Sequence, residues 1–393
     1  MEVVSIAFQK SIQRPRRSQS PKRVGSGPLG PPISRPAAGV RSEESEGRGE
    51  EATFLVLSWV GRVSILRMRL LYTGVSRFSL PVRTTAVDSN AAALIRRSEQ
   101  ARTRAKGPVC LNETVLELRG PDTLAFLESL STTSLASIPV GGWRCAAFAN
   151  AQGRLVAWGR LVSCGENFLL AVPGEGTGAL LAAHFARHRL RSRLTIETRD
   201  DLTVAGNPEG SSWNPAAIAG TVGRDPTEES WRLEPSSVII RGGRKGTMTS
   251  DSDADRAWRL RELAAGIVRL PSSLTGTFTI PALGPFVVSL VALDKGCFPG
   301  QEVVRKMLRL GHGKRVLAWA ESDVTFEAGA VLVDEAGRER ARVLGSIADE
   351  ERFFVQLVVQ LEGGSGPKEL HAPEGASVCR IRGLMLSVGA GTT

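Results

Sequence analysis

The sequence predicts a mixed α+β fold followed by a small antiparallel β-barrel, with a long extension in front that forms no core. Three observations carry this. Helix-period and strand-period apolar patterns alternate from about residue 90 to residue 265. From Arg315 to Leu386 the chain consists of short β-rich runs spaced by Gly and charged turns. Residues 1–51 are rich in Ser, Pro, Gly and Arg and then in Glu, too polar to bury a core. The resulting boundaries are 1–89 for the extension, 90–205 and 206–314 for two units of the α+β fold, and 315–393 for the barrel.

The first folded element is a helix over 91–104, followed by an alternating strand over 115–119. Gly120-Pro121-Asp122 opens the next helix, with Pro at the first helical position and Leu124, Phe126, Leu127 and Leu130 on one face. Strands over 143–150 and 155–163 flank the turn Ala151-Gln-Gly-Arg154, and 167–172 is a third strand. An amphipathic helix spans 178–190, and 194–198 returns to strand. Residues 206–252 read as irregular, with short strand signals at 217–222 and 238–241, before a helix over 255–265 with Asp255 as its N-cap. A last helix spans 302–310: Val303, Val304, Met307 and Leu308 form its apolar face, Arg305 and Arg309 a basic one, and Gly311-His312-Gly313 closes it. The strand-like runs of the barrel are 316–320, 341–344 and 353–361.

The formal charge of +10 suggests a nucleic-acid binder until it is divided along the chain. Residues 1–105 hold 18 Lys/Arg against 8 Asp/Glu, so that segment alone carries the excess and the folded part is neutral. The basic run from Arg14 to Arg23 has no aromatic residues for base stacking, and direct nucleic-acid binding by the folded region is not expected. Five cysteines, at 110, 145, 164, 297 and 379, form no CxxC pair, which argues against a locally ligated metal or cluster and fits a reducing compartment. The apolar stretch 54–66 is interrupted by Arg62 and too short to span a bilayer, so no membrane segment is expected. A cytoplasmic bacterial protein fits this composition. The mitochondrial matrix would apply only if the extension were a transit peptide, which its Pro, Gly and the Glu43–Glu51 run oppose. A start assigned too far upstream, with Met68 as an internal alternative, is the plainer explanation.

The chemistry centres on Lys295-Gly-Cys-Phe-Pro-Gly-Gln-Glu302. Pro299-Gly300 suits a type II turn, and a helix starts directly after it. Cys297 therefore sits beside Lys295 and just before a helix N-terminus, two settings that favour thiolate, although a small buried core cysteine fits the local pattern equally well. Nothing in the pattern supplies the His or Asn of a Cys-His hydrolase.

This octapeptide resembles the K-G-C-[FY]-x-G-Q-E signature of the YgfZ family, folate-binding proteins similar in fold to the glycine-cleavage aminomethyltransferase. Three further stretches look like that family's landmarks in the same order: Leu116-Glu-Leu-Arg-Gly-Pro-Asp-Thr-Leu-Ala-Phe-Leu127, Phe148-Ala-Asn-Ala-Gln-Gly-Arg154 and Leu260-Arg-Glu-Leu-Ala-Ala-Gly266, with Thr279-Ile-Pro281 before the signature. The resemblance runs from about 90 to 385. It implies a tetrahydrofolate (or other folate) site between the first two units and a role in iron–sulfur cluster assembly or repair for client enzymes, tRNA-modifying ones included. Folate and iron–sulfur client or assembly proteins are then the expected partners. By motif match the candidate binding residues are Asn150, Arg154, Arg261, Lys295, Gly296, Cys297, Phe298, Gly300, Gln301 and Glu302, with Cys297 as functional thiol assisted by Lys295. Arg305, Lys306 and Arg309 could meet the anionic tail or an acidic partner; for any single one a solvated helix face is the plainer reading. The transferase relatives carry a catalytic Asp on the strand after the Asn-x-x-Gly turn, where this chain has Ala157 and Trp158, so binding without methylene transfer is expected.

Two other patterns point elsewhere. Gly174-Glu-Gly176-Thr-Gly178-Ala179 before a helix, with Glu197 some 20 residues on, mimics a dinucleotide fingerprint and would make the protein a dinucleotide-dependent oxidoreductase. A true one-carbon transferase is the other alternative. Asp251-Ser-Asp-Ala-Asp255 with Glu262 mimics a calcium loop, but Arg256 occupies the position where that loop requires glycine, and no metal is assigned.

Overall fold

The computed structural model describes residues 89–385 apart from 210–212, 226, 244–250, 311–312, 351 and 376. The expectations for residues 1–88, and for the closing Gly311-His312, lie outside the described residues.

The chain opens with α1 (Ser89–Arg104), β1 (Val109–Cys110), β2 (Thr114–Arg119) and α2 (Thr123–Leu130). The three strands around the predicted turn come next as β3 (Gly142–Ala149), β4 (Leu155–Ser163) and β5 (Asn167–Val172), then α3 (Thr177–His188) and β6 (Thr195–Thr198). Pro121 stands two residues before α2, outside the helix, and Asp122 is the N-cap. Its carboxylate does not cap the helix but accepts from the Arg193 N–H at 2.8 Å, tying the helix entrance to the strand edge. An unpredicted strand β7 (Leu202–Gly206) follows, and the stretch 206–252 is more regular than its polar composition suggests: β8 (Ala219–Asp225), β9 (Ser230–Glu234) and β10 (Val238–Gly242) join β7 in the sheet. Short strands with exposed polar faces carry little periodic signal, and pairing with neighbours decides them.

These strands form one ten-stranded sheet in the order β1-β7-β10-β9-β8-β3-β4-β5-β2-β6, every pairing antiparallel. Strands from both sides of residue 206 thus share a sheet, joined where β8 pairs with β3 through Gly142 and Thr221. One face packs α2 and α3 through Leu116, Leu127, Phe148, Leu161 and Phe185. The opposite face buries Val115, Trp143, Trp158, Leu233, Trp258 and Phe286 against α4 (Ser252–Ala264) and α5 (Gly284–Ser289). Helix α4 starts three residues earlier than expected because Asp251, not Asp255, is the N-cap, its carboxylate accepting from the Ala254 N–H at 2.9 Å. The acids that mimic a calcium loop are spent on arginines: Asp253 on Arg256, Asp255 on Arg259.

After α6 (Gln301–Arg309) the chain enters β11 (Arg315–Ser322), β12 (Val331–Val333), β13 (Glu339–Asp349), β14 (Arg352–Gln360), β15 (Glu369–His371) and β16 (Val378–Met385). They close a barrel in the order β11-β14-β13-β12-β15-β16, as the spacing of short strands predicts. The barrel docks on α1 and α4 through Trp319 and Phe354 and through Asp349, which is buried and ion-paired to Arg97 at 2.6 Å. None of the described helices is long and apolar enough to cross a membrane.

On α3, His184 is buried against Phe185, with the His188 ring 4.3 Å away and no hydrogen-bond partner at Nε2 among the described residues. Burial, aided by the His188 charge, lowers its pKa from 6.5 to about 4. The unfolded chain takes up the proton more readily, so the stabilisation from neutral His184 is complete above about pH 6.5 and is lost as pH falls toward 4. Urea unfolding at pH 7 and at about pH 4.5 tests this: the acid loss assignable to His184 is about 2–3 kcal/mol, and a His184→Leu variant is expected to show a correspondingly smaller drop.

Candidate functional site: a signature loop seated on a β-turn

The signature helix begins at Gly300, whose left-handed conformation (φ +78°) caps α6. A Cβ there would stand 2.4 Å from the Asn150 carbonyl oxygen and 2.7 Å from the Gly153 nitrogen. Gly153, also left-handed at φ +67°, faces the side chains of Val304 and Val303 at 3.1 and 3.2 Å from where its own Cβ would be. Two glycines thus let the helix entrance rest on the β3–β4 turn. The turn is shaped by Asn150: its side-chain Oδ1 accepts from the N–H groups of Gln152 (3.0 Å) and Arg154 (3.1 Å), while its carbonyl accepts from Gly153 at 2.9 Å. The segment before the signature completes the cluster. Leu155 N–H donates to Phe278 at 3.0 Å, Arg154 bridges Thr279, and the exposed Arg154 guanidinium donates to the Gly276 carbonyl at 3.4 Å. Three landmarks far apart in sequence, 150–154, 276–281 and 295–302, therefore meet.

Lys295 is placed by a different logic. Its side chain is 3% exposed, and the ammonium donates to the carbonyls of Glu128 (2.5 Å), Ser131 (2.7 Å) and Thr133 (3.1 Å), with the Glu128 carboxylate at 3.3 Å. Glu128 lies in the last turn of α2 and Ser131 is its C-cap, where carbonyls lack helical partners and the dipole favours a cation. Burial lowers the Lys295 pKa, with Glu128 opposing. The ammonium is committed to these carbonyls and pins the loop to α2.

Cys297 is exposed, between the pinned Lys295 and the buried Phe298. The other four cysteines differ. Burial pushes Cys145 and Cys379 up to about 12 and Cys164 up to about 11, and Cys110 is buried on β1. Gly296 has open space where a Cβ would be, and Glu302 is exposed in the first turn of α6, with Gln301 half-buried beside it. Arg305 donates to the Leu293 carbonyl at 3.0 Å and so belongs to the loop's own scaffold. Arg261 goes elsewhere: on α4 it pairs with Glu99 at 3.4 Å and lies over the Trp213 ring at 5.3 Å.

On β4, Ala157 is buried against the α2–α3 layer. Trp158 points to the other face, its Nε1–H donating to the Val268 carbonyl at 2.7 Å and its ring edge-on to Phe286 at 4.9 Å. Beside it the wholly buried Arg160 grips both oxygens of Glu113 at 2.9 and 3.0 Å, Arg269 donates to Glu113 at 3.1 Å, and Glu262 takes Arg269 at 2.8 Å. Despite burial, the Arg269 charge and hydrogen bonds hold Glu262 near 2. A second polar feature is a cleft of about 360 Å³ whose walls include Glu117, Asn167, Arg199, Cys164 and Trp231. Neither cluster is among the features the sequence singles out. The available signal is Glu113 and Glu117, acids in and beside an apolar strand at a spacing that puts both on one sheet face.

The dinucleotide pattern meets a physical obstacle. A Cβ on Gly174 would stand 1.9 Å from the Leu270 carbonyl, and one on Gly178 2.4 Å from Thr114, so these glycines admit the protein's own chain. The strand before them belongs to an antiparallel sheet, whereas the fingerprint requires a parallel one.

Fold and site together define an α+β protein with an appended barrel, in which a cysteine loop is mounted on a β-turn. Set beside known proteins, the chain is 28% identical over 299 residues to the human mitochondrial iron–sulfur cluster assembly factor IBA57, covering 67% of this chain and 80% of that one. It is 23% identical over 273 residues to the tRNA-modifying protein YgfZ of Colwellia psychrerythraea, covering 63% and 83%. The resemblance to YgfZ proteins read from the signature is thus repeated over most of the described chain, again with the YgfZ of Klebsiella pneumoniae at 24% identity over 268 residues, covering 62% and 81%. No family model matches the chain. Among solved structures, aminomethyltransferase T of the Bartonella henselae glycine cleavage system aligns with a TM-score of 0.49 at 15% identity, over 76% of this chain and 88% of that one.

Two substitutions test the seat. Gly300→Ala is expected to cost about 1–3 kcal/mol, from the left-handed φ and the clash with Asn150, and to displace the turn; urea unfolding reads the cost, and Arg154 and Cys297 amide shifts the displacement. Lys295→Met is expected to cost about 2–4 kcal/mol by leaving buried carbonyls without a donor, and equal midpoints for variant and wild type would refute the pin.

Proposed function

We propose that the chain is a tetrahydrofolate-binding protein that serves the assembly or repair of iron–sulfur clusters in client enzymes, including enzymes that modify tRNA. The observation that carries this is the union of the Asn150–Arg154 turn with the signature loop into one surface bearing the free thiol of Cys297. The names of the relatives support it: a cluster assembly factor in one branch and tRNA-modifying proteins in the other. The residues fit a folate in kind. Arg154 offers an exposed guanidinium, Asn150 an amide at the edge of the loop, and Gly296 an unobstructed backbone. We leave Arg261 out of this set, since its guanidinium is engaged by Glu99 and lies over the Trp213 ring.

Transfer chemistry is not part of the proposal. Ala157 and Trp158 fill both faces of β4 where a proton-relaying carboxylate would be needed, and Glu113, the nearby buried acid, is clamped by Arg160. The protein would hold folate and present Cys297 to a client or assembly partner.

Titration with tetrahydrofolate and, separately, NADPH, read by intrinsic Trp fluorescence, tests the proposal. Saturable folate binding without a nucleotide response is expected, and the reverse pattern would overturn it. In a strain lacking the protein, Cys297→Ser is expected to bind folate yet fail to restore the activity of cluster-dependent enzymes; full restoration would remove the thiol from the account.

A further inference from the structure

The strand β6 closes one side of the ten-stranded sheet: it pairs with β2, and no strand follows it in the sheet order. Its register fixes which backbone groups are left over. The Arg199 N–H donates to the Val115 carbonyl at 2.9 Å, and along an antiparallel pair the residues that face the neighbour alternate, so Glu197 and Thr195 face β2 as well. Ile196 and Thr198 therefore turn their N–H and C=O groups to the outer edge, a template for another strand.

The loop that leads into β6 carries side chains suited to such a guest. Leu190 is 89% exposed and left-handed at φ +45°, so a backbone conformation that costs a leucine about 1 kcal/mol or more holds an apolar side chain in water. With Arg191, Ser192 and Asp122 it lines an open cleft of about 690 Å³. Arg187, Arg189 and Arg191 are exposed, and among the described residues none of them is in an ion pair with a carboxylate. Arg193, by contrast, is taken by Asp122 at 3.3 Å. The loop is held against the strand: the Ser192 N–H donates to the Arg189 carbonyl at 2.8 Å, and the Arg189 guanidinium donates to the Leu194 carbonyl at 3.3 Å. The one acid on β6, Glu197, is offset by the charge of Arg119 across the pairing with β2.

We propose that the outer edge of β6 and the arginine loop before it dock an extended acidic segment of a partner protein. The segment adds as a further strand beside β6, bonding to Ile196 and Thr198 through its main chain, while its side chains set an apolar group on Leu190 and carboxylates on Arg187, Arg189 and Arg191. About eight residues, at about 3.3 Å each, span the distance from Thr198 to Arg191. An open strand edge and an exposed leucine recognise polypeptide, and residues 187–198 include no Phe, Tyr or Trp on which a nucleic-acid base would stack. Thr195 pairs with Arg119 and Arg119 with Asn167, at the end of the strands opposite the Asn150–Arg154 turn, so a partner docked here leaves the Cys297 surface free.

The full-length chain is titrated with a fluorescein-labelled eight-residue peptide of alternating glutamate and valine, followed by anisotropy. Saturable binding that weakens as salt rises is expected. In the bound state hydrogen exchange should slow at the Ile196 and Thr198 amides and stay unchanged at Glu197, whose N–H already faces β2. Leu190→Gly should melt no lower than the wild type, because glycine accepts the left-handed backbone, yet bind the peptide about fivefold more weakly. Arg187→Gln/Arg191→Gln is expected to lose about fivefold as well. The absence of saturable binding overturns the proposal, as does binding that leaves the two outward amides unprotected or that both variants retain in full. A uridine oligonucleotide that binds more tightly than the peptide and displaces it would make this an RNA surface instead. Light scattering that finds a dimer dissolved by Leu190→Gly would make the edge an interface between two copies, and either result overturns the proposal. None of these outcomes bears on folate binding.

Discussion

The contact between Gly300 and the Asn150–Gly153 turn is a meeting of backbones, with no side chain on either side to absorb an error. A Cβ at Gly300 would come within 3 Å of three backbone atoms, so the approach is closed to every other residue without a shift of the turn. The geometry of the whole signature loop depends on this contact. The helix starts where it does because its first turn rests on β3 and β4, and the residues just before it are held at two points. Lys295 is tied to the end of α2, and Phe298 is buried. Between those anchors only Gly296 and Cys297 project. The exposure of the thiol is thus a consequence of what its neighbours do, with the scaffold built from helix and strand ends and the cysteine left on the short span between them.

A second constraint acts in the interior. Arg160, Glu113, Arg269 and Glu262 join β4, the segment before β2, the chain after α4, and α4 itself through consecutive charged hydrogen bonds, all at or near full burial. Taking such charges out of water costs several kcal/mol per ion unless geometry and partners compensate. Arg160 Nη1, shared between both oxygens of Glu113, and the Trp158 ring 5.2 Å from the same guanidinium supply part of the compensation, while Nε and Nη2 are buried with no hydrogen-bond partner among the described residues. The network therefore favours one relative placement of these elements over its neighbours.

How much of the fold is legible in the sequence tracks the strength of local signals. The strands at 143–163 and 167–172 and α3 carry clear periodicities that the structure reproduces to within a residue or two, whereas of the six barrel strands the sequence marks β11, β13 and β14, with β13 running to Asp349 rather than Leu344. The strands between 202 and 242 are harder to read because they are short and uneven, β7 wholly buried and β8 and β10 running out into exposed residues, so pairing rather than alternation forms them. Asp251 and Asp255 satisfy the local rule for an N-cap equally, and only the observed Ala254 hydrogen bond chooses Asp251. The site divides the same way. That the 150–154 turn and the signature belong together is readable from motif order, but Arg261 shares a motif without sharing the place: its partner, Glu99, comes from a helix that no local pattern connects to it.

Lys295 has contacts that adjacency in sequence does not reveal. Beside a cysteine, a lysine is expected to stabilise thiolate by charge. Here the ammonium faces the Glu128 carboxylate at 3.3 Å and donates to three carbonyls at the end of α2. The contribution of Lys295 to the site is mechanical, since holding the loop against α2 keeps Cys297 out of the core. Three of the other cysteines are buried, and burial has raised Cys145 and Cys379 far out of the range in which a thiolate forms. Accessibility, set by a pinned lysine behind the thiol and a glycine-permitted helix entrance ahead of it, is therefore what separates Cys297 from Cys110, Cys145 and Cys379.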